Sequence, residues 1–459
     1  MFYLKINTFL DSVCNEIRYK PIRKDIAEEL KNHINEIKEE YLDKGLENNQ
    51  AEDKAVEQMG NPKEIGLKLN KIHKPKLDWK LLIIMIIVLG FSLLVTFTRA
   101  KFNISQNNEI YVMTKYIAFI VIGIILSVIC YFLDYRKLIK HSNKLFIIAS
   151  LGIIASITFG TNLIGVSHFR IGTYMFSPSI IAMPLYILSF VGFLENINKE
   201  SKVKVKFLKE NVNINIIKII LSSIFSLYLL SLIPSLVTAF IVCLTYLILA
   251  TIKLLQLDKN IKRNIGLLWG VPLVLILISV IIIVNSPLGM FRFNRITASF
   301  NPESDPNGAG WIGINQKVII NSAQLIGESE DMSNALNIFD EGTNYALISL
   351  LAHYGWIISG AMILIVVLLS IKLIINAIKV KDVYGKNIII GIATMFILQS
   401  ICNILMNLNL GIQADFNIPF ISYGGANLIT NMICVSLVFS VYRRKNIILK
   451  SNEIKISIS

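Results

Sequence analysis

Charged residues are scarce in this sequence: Asp, Glu, Lys and Arg make up 17% of its 459 residues, whereas 54% of the residues are hydrophobic. So large an apolar excess in a chain of this length excludes a soluble protein built around one core. Lipid is the solvent that accommodates such an excess. The composition therefore predicts an integral membrane protein.

Cysteine is also scarce, and the odd count of five argues against a disulfide framework. The cysteines lie in the N-terminal segment or within apolar runs, and none has the paired spacing of a zinc site. We expect reduced thiols and no metal-binding residues. The residues indicate no certain cofactor, and a divalent cation is kept open as an alternative.

Acidic residues are fewer than basic ones, 31 against 45, which gives a formal net charge of +14. The Lys and Arg residues do not form one basic face of the kind that binds nucleic acid. They occupy alternate connectors between apolar runs, which is the positive-inside pattern of membrane proteins. We therefore expect no nucleic-acid partner, and we place the basic connectors and both chain termini in the cytoplasm.

Ten apolar runs are each long enough to cross about 30 Å of hydrocarbon. They lie at about 81–97, 117–133, 145–164, 178–194, 216–232, 236–252, 266–284, 345–371, 388–405 and 427–441. The prediction is an all-α, polytopic membrane bundle over residues 80–450. Its longest connector on the side opposite the basic ones, 285–344, is expected to be a large extracellular loop without obvious secondary structure.

Residues 1–76 precede the first apolar run and carry amphipathic helical patterns. Apolar residues recur at spacings of three and four, as in Ile26, Leu30, Ile34 and Ile37, which marks one buried helix face. The sequence 60–62, Gly-Asn-Pro, predicts the end of one helix and the capped start of the next. We expect a small soluble cytoplasmic domain, and the segment resembles the helical prefix modules found ahead of some Gram-positive permeases.

Three segments carry a more specific resemblance. Residues 403–432 include the dense motif PFISYGG at 419–425, residues 296–313 read ITASFNPESDPNGAGWIG after Arg295, and residues 165–179 read GVSHFRIGTYMFSPS. In this order they closely resemble the signatures of the shape, elongation, division and sporulation family, the FtsW/RodA/SpoVE proteins. The resemblance covers about residues 80–450 and implies a place in cell-wall, division or spore-wall assembly at the bacterial cell membrane.

The resemblance implies polymerisation of lipid II outside the membrane, in partnership with a class B penicillin-binding protein. A sugar hydroxyl attacks the anomeric carbon of the growing chain's terminal sugar, and polyprenyl pyrophosphate leaves. A carboxylate can accept the hydroxyl proton, and a basic residue can meet the pyrophosphate. The positions that the resemblance assigns to substrate binding are Arg295, Glu303, Asp305, Ser422, Tyr423, Gly424 and Gly425.

The sequence departs from the family at the position of its catalytic Asp, which aligns with Asn344. An amide cannot act as a general base. Asp340 and Glu341 lie within one helical turn of Asn344 and are the candidates for a substituted base. Ile180 and Met183 also stand where the family has Glu and Lys, so polar groups are lost near the outer cavity.

Three functions follow as alternatives. The first is a divergent lipid II polymerase. The second is a non-catalytic family member that scaffolds or regulates a penicillin-binding protein, which Asn344 favours. The third is a flippase for lipid-linked precursors, which the near absence of charged residues within the apolar runs disfavours.

Overall fold

The computed structural model describes the chain in eleven segments, 4–73, 76–102, 109–163, 166–171, 174–196, 202–204, 211–233, 236–257, 287–330, 343–413 and 417–445. The chain divides into two compact units. One holds Met1–Asp78 with Lys379–Val383 and Val441–Ser459, and the other holds Trp79–Ile378 with Tyr384–Ser440.

The N-terminal part of the first unit consists of four amphipathic helices. They are α1 (Leu4–Glu16), α2 (Arg23–Asp43), α3 (Asn48–Met59) and α4 (Pro62–His73). The predicted stripe of α2 is buried and joins one core with apolar residues of the other three helices. The predicted start of α4 is confirmed as well, because Oδ1 of Asn61 accepts a hydrogen bond from the backbone N–H of Lys63 at 3.0 Å, which satisfies a free donor of the first turn.

The second unit is built from long apolar helices. Its helices are α5 (Trp79–Phe102), α6 (Glu109–Phe132), α7 (Leu138–Phe159), α8 (Pro178–Glu195), α9 (Ile214–Leu232), α10 (Leu236–Leu257), α11 (Pro287–Phe300), α12 (Trp311–Ser322), α13 (Ala346–Lys379), α14 (Val383–Asn407) and α15 (Gly425–Arg443). In the described part of the chain, nine helices, all but α11 and α12 of this unit, are long and apolar enough to cross a membrane. The all-α membrane fold is thus confirmed, and the predicted run at 266–284 lies outside the described residues.

Short antiparallel strands occur between some of these helices. β1 (Thr161–Leu163), β2 (Val166–Ile171) and β3 (Tyr174–Phe176) pair in that order, and β4 (Lys202–Lys204) pairs with β5 (Asn211–Asn213). The prediction of an apolar helix as far as residue 164 is wrong. α7 ends at Phe159, and Gly160 is already extended, with φ −76° and ψ 149°, because glycine is a weak helix former.

The expectation that residues 285–344 lack secondary structure is wrong for their described part. α11 and α12 lie there, joined by a turn that includes the 3-10 helix Pro302–Ser304. α12 buries Gly313, Gln316 and Ile319 on one face, a spacing of three that fits one helix stripe. Ile319 packs in a small core against the start of α13.

α13 is broken at Gly355. The element has 34 residues, which at 1.5 Å per residue is about 51 Å, far more than a bilayer core requires. The backbone of Gly355 is non-helical, with φ 80° and ψ −173°. A Cβ atom there would lie 2.5 Å from the carbonyl oxygen of Gln324, so only glycine fits. The single helix predicted from residue 345 onward is therefore a buried half-helix, 346–354, followed by a membrane-length helix.

Candidate functional site

Asn344 lies two residues before the start of α13 and is held there by the end of α14. Its backbone oxygen accepts hydrogen bonds from Nδ2 of Asn403 at 2.9 Å and from Nδ2 of Asn407 at 3.0 Å. Oδ1 of Asn407 accepts a hydrogen bond from the backbone N–H of Ile348 at 3.1 Å. Asn403 and Asn407 are one turn apart and fully buried. Two amides of α14 thus fix the first turn of the half-helix.

Gln413, in the loop after α14, extends this arrangement to α11 and α12. Its backbone N–H donates to Oγ of Ser299 at 3.0 Å, and its Nε2 donates to Oε1 of Gln316 at 2.7 Å. Its Oε1 accepts from the hydroxyl of Tyr345 at 3.3 Å, and its backbone oxygen accepts from Nη2 of Arg295 at 3.4 Å. Buried polar groups are stable when they are paired in this way.

These groups form one polar cluster, here called the amide network, in which Asn344 takes part through its backbone oxygen. Its members are Arg295, Ser299, Gln316, Asn344, Tyr345, Asn403, Asn407 and Gln413. The network contains the two sequence-predicted positions Asn344 and Arg295. Amide side chains donate and accept hydrogen bonds but do not take up a proton at neutral pH. The network can therefore position groups, whereas proton abstraction needs a further residue.

The acidic candidates are not brought into the network by the described structure. Glu303 and Asp305 are exposed in the turn between α11 and α12. Oδ2 of Asp305 accepts a hydrogen bond from the backbone N–H of Ala309 at 2.8 Å, and Glu303 lies 3.8 Å from Nζ of the exposed Lys317. Asp340 and Glu341 lie outside the described residues.

The PFISYGG motif forms a buried turn before α15. Oγ of Ser422 accepts a hydrogen bond from the backbone N–H of Ile418 at 3.0 Å. Phe420 has a left-handed backbone with φ 68°, and its oxygen accepts from Oγ of Ser92 on α5 at 2.6 Å. Left-handed backbone is costly for a bulky residue, so these bonds hold a strained turn.

Gly424 and Gly425 lie where this turn enters α15. At Gly425 an added Cβ atom would lie 2.5 Å from the ring of Phe119 on α6. The close approach of α6 accounts for the absence of a side chain at this position. The described contacts of Ser422 and Gly425 are structural, and the predicted substrate-binding roles of the motif residues stay predictions.

Tyr423 of the motif is half-buried. Its ring stacks on that of Tyr116, with centroids 5.4 Å apart, and the guanidinium carbon of Arg99 lies 4.5 Å from its centroid. This is cation–π geometry. Arg99 is not among the site residues predicted from the sequence. The sequence does mark it, because Arg99 and Lys101 lie in the last turn of α5, on the side where the positive-inside pattern predicts few cations.

The Tyr423 contacts and the amide network lie at the same end of the helices that carry them. α5 and α14 end there, and α13 and α15 begin there. Oγ1 of Thr98 also donates to the hydroxyl of Tyr354 at 3.2 Å, which connects α5 to the half-helix. One membrane face therefore carries a guanidinium, aromatic rings and the amide network. Within the described residues, no group of three or more His, Cys, Asp or Glu could hold a metal ion.

The chain is similar to known proteins in sequence and in structure. The chain matches the FtsW/RodA/SpoVE family, described as "Cell cycle protein", over residues 77–447. It is 25% identical to the peptidoglycan glycosyltransferase MrdB of Escherichia coli over 83% of this chain and 97% of that protein. It is 24% identical to a probable peptidoglycan glycosyltransferase FtsW of Nitrosomonas europaea over 81% of this chain and 94% of that protein. A match of 26% identity to the corresponding protein of Trichlorobacter lovleyi covers 42% of this chain and 51% of that protein, about half its length.

Two solved structures share the fold. A chain from a structure concerned with coordination of polymerization and crosslinking by a peptidoglycan synthase complex has a TM-score of 0.62 at 18% identity, over 80% of this chain and 98% of that one. The rod shape determining protein RodA of Thermus thermophilus has a TM-score of 0.53 at 16% identity, over 80% and 97%. Since the family match spans most of the sequence and the helical fold agrees, the chain belongs to the FtsW/RodA/SpoVE family.

Proposed function

We propose that this protein is a peptidoglycan glycosyltransferase that polymerises lipid II at the membrane face carrying Asn344. The observation that carries the proposal is the amide network. It fixes the backbone at position 344, which the sequence resemblance aligns with the family's base. Tyr345 and Gln413 connect this position to Arg295. Rigid placement of reacting groups is a large part of the catalytic effect in group transfer. The names of the matched relatives support the same reaction.

In the proposed reaction an acceptor sugar hydroxyl attacks the anomeric carbon of the donor chain. The new C–O bond forms as the bond to polyprenyl pyrophosphate breaks, and the hydroxyl proton passes to a carboxylate. Asp340 or Glu341 takes this proton, since Asn344 cannot. Arg295 meets the negative charge that develops on the leaving pyrophosphate.

The proposed setting follows the positive-inside pattern. Both termini lie in the cytoplasm, and the Asn344 face lies outside the cell membrane, where lipid II is used. A class B penicillin-binding protein is the proposed partner. The likeness to a chain of a peptidoglycan synthase complex supports this pairing.

The substituted base can be tested with Asp340→Asn and Glu341→Gln in the purified full chain. Loss of the base should lower lipid II polymerisation by roughly 10²- to 10⁴-fold. Glu328→Gln is a matched control, because Glu328 is an exposed acid of the same connector. Polymerisation that survives both substitutions would exclude Asp340 and Glu341 as the base.

A non-catalytic scaffold is the second candidate, and it is favoured by Asn344 itself. This candidate predicts wild-type polymerisation at background, together with stable binding to a penicillin-binding protein. Asn344→Asp is the complementary variant, since it restores a carboxylate of nearly the same volume. A gain of activity in Asn344→Asp from a background-level wild type would support the scaffold.

A further inference from the structure

The residues after α12 form a short segment that returns to α13. Residues 324–329, here called the return loop, pair with the backbone on both sides of the Gly355 break. The four bonds are Trp356 N to Gln324 O at 3.0 Å, Ile357 N to Leu325 O at 3.1 Å, Gly327 N to Tyr354 O at 3.3 Å and Ser329 N to Ala352 O at 2.8 Å. The return loop thus supplies partners for backbone groups that the broken helix leaves free.

The depth of the return loop follows from the length of α13 beyond the break. From Trp356 to Lys379 the helix rises about 36 Å at 1.5 Å per residue, against about 30 Å of hydrocarbon. Trp356 therefore lies near the membrane boundary, where Trp is enriched. Ile357 and Leu364, which follow it, are exposed by 54% and 59%, as expected of a lipid-facing surface.

The tip of the return loop, Leu325 and Ile326, is apolar and highly exposed. Leu325 is 72% exposed and Ile326 is 70% exposed, whereas the preceding helix residue Ile319 is fully buried. Polar residues flank the pair, and Nε2 of Gln324 lies 3.3 Å from Oε1 of Glu330. Apolar area that is buried at the boundary between headgroups and acyl chains favours membrane binding, and this exposed pair offers such area.

We propose that Leu325 and Ile326 insert into lipid at the boundary between headgroups and acyl chains, on the leaflet of the Asn344 face. Lipid is the occupant because the return loop is fixed by backbone bonds beside the exposed, apolar surface of α13, so its tip continues that surface. Non-helical backbone is tolerated at this depth when its polar groups find partners. The four bonds pair the oxygens of Gln324 and Leu325 and the N–H groups of Gly327 and Ser329, on both sides of the tip. The insertion anchors the half-helix that begins beside Asn344 to the bilayer surface.

The test places a single cysteine at position 326 or 328 of the full chain, with the five native cysteines replaced by serine, and attaches the fluorophore NBD. The protein is reconstituted in nanodiscs of phosphatidylglycerol and phosphatidylcholine. At Ile326→Cys we expect blue-shifted emission, quenching by doxyl-labelled lipid and protection from aqueous iodide. At the control Glu328→Cys we expect iodide quenching and little quenching by lipid.

Two outcomes would overturn the proposal. Iodide quenching at 326 equal to that at 328 would place the tip in water. Blue-shifted emission without doxyl quenching would show that position 326 is covered by protein, such as a second copy or a partner helix, and not by lipid. A second measurement needs no cysteine replacement: Ile326→Asp should lower the unfolding temperature in nanodiscs, whereas Glu328→Gln should not. An unchanged unfolding temperature in Ile326→Asp would count equally against insertion.

Discussion

Asn407 has the largest share of the hydrogen bonds that fix position 344. Its Nδ2 lies within hydrogen-bond distance of the backbone oxygens of Asn344 and Asn403, and its Oδ1 accepts from the backbone N–H of Ile348. These are the donors and acceptor that a side-chain amide can offer. In a buried site each group left unpaired carries its full desolvation cost.

Asn407→Ala should therefore destabilise the protein by about 1–3 kcal/mol for each buried group that it leaves unpaired. The measurement is the free energy of unfolding in mild detergent. Asn376→Ala is the matched control, because Asn376 is fully buried in α13 and its side chain has no hydrogen-bond partner among the described residues. Equal losses in the two variants would show that the amide network contributes nothing specific.

The reactivity of Cys14, in α1 of the first unit, tests the packing of a single residue there. Partial burial beside the helical core raises the pKa of the Cys14 thiol, and this effect outweighs that of Arg23, which lowers the pKa. A raised pKa leaves less thiolate at neutral pH, and the thiolate is the reactive form. With Cys14 as the single cysteine, alkylation at pH 7 should be slower than in the denatured chain, and its rate should still be rising above pH 9. A folded-state rate equal to the denatured one would contradict the burial of Cys14.

At the scale of elements, the break in α13 matters most for the site. The half-helix before Gly355 is almost completely buried, with every residue from Ala346 to His353 at most 4% exposed. The return loop occupies the space that a side chain at Gly355 would need. The half-helix and the membrane-length helix are therefore separate parts joined by one obligatory glycine.

Gly355→Ala should lower the free energy of unfolding by more than about 2 kcal/mol, because it combines a left-handed backbone with a clash against a backbone oxygen. Gly360→Ala, in the same helix, meets nothing within 4 Å. It should be neutral or slightly stabilising, since alanine is the better helix former. Thermal unfolding of both variants in the same detergent makes the comparison. A neutral Gly355→Ala would mean that the break is not a fixed feature of the fold.

Local patterns predicted most elements, and contacts distant in sequence account for what they missed. The stripe of α2 and the Asn61 cap of α4 are encoded within a few residues, and both are confirmed. The break at Gly355 lies inside an uninterrupted apolar run and depends on residues 324–329, so periodicity could not reveal it. Likewise the contact of Arg99 with Tyr423 joins residues over 300 positions apart. The side-chain partners of Gln413 lie on α11, on α12 and at Tyr345 before α13.

At the scale of the whole molecule, the orientation in the membrane remains a prediction from the charge pattern. Single cysteines at Lys140 and Glu328, both exposed positions, test it in a cysteine-free chain in intact cells. An impermeant maleimide should label position 328 and spare position 140 until the cells are opened. Labelling of position 140 alone would show that the orientation is the reverse, with the Asn344 face in the cytoplasm.

The most direct test is the rate of lipid II polymerisation by the purified full chain, measured alone and with its cognate class B penicillin-binding protein. The proposed function predicts polymer from the wild type. It also predicts a loss of roughly 10²-fold in Asn407→Ala, because small displacements of reacting groups cost about that much, while Asn376→Ala retains the wild-type rate. Wild-type product at background under both conditions would contradict the proposed activity.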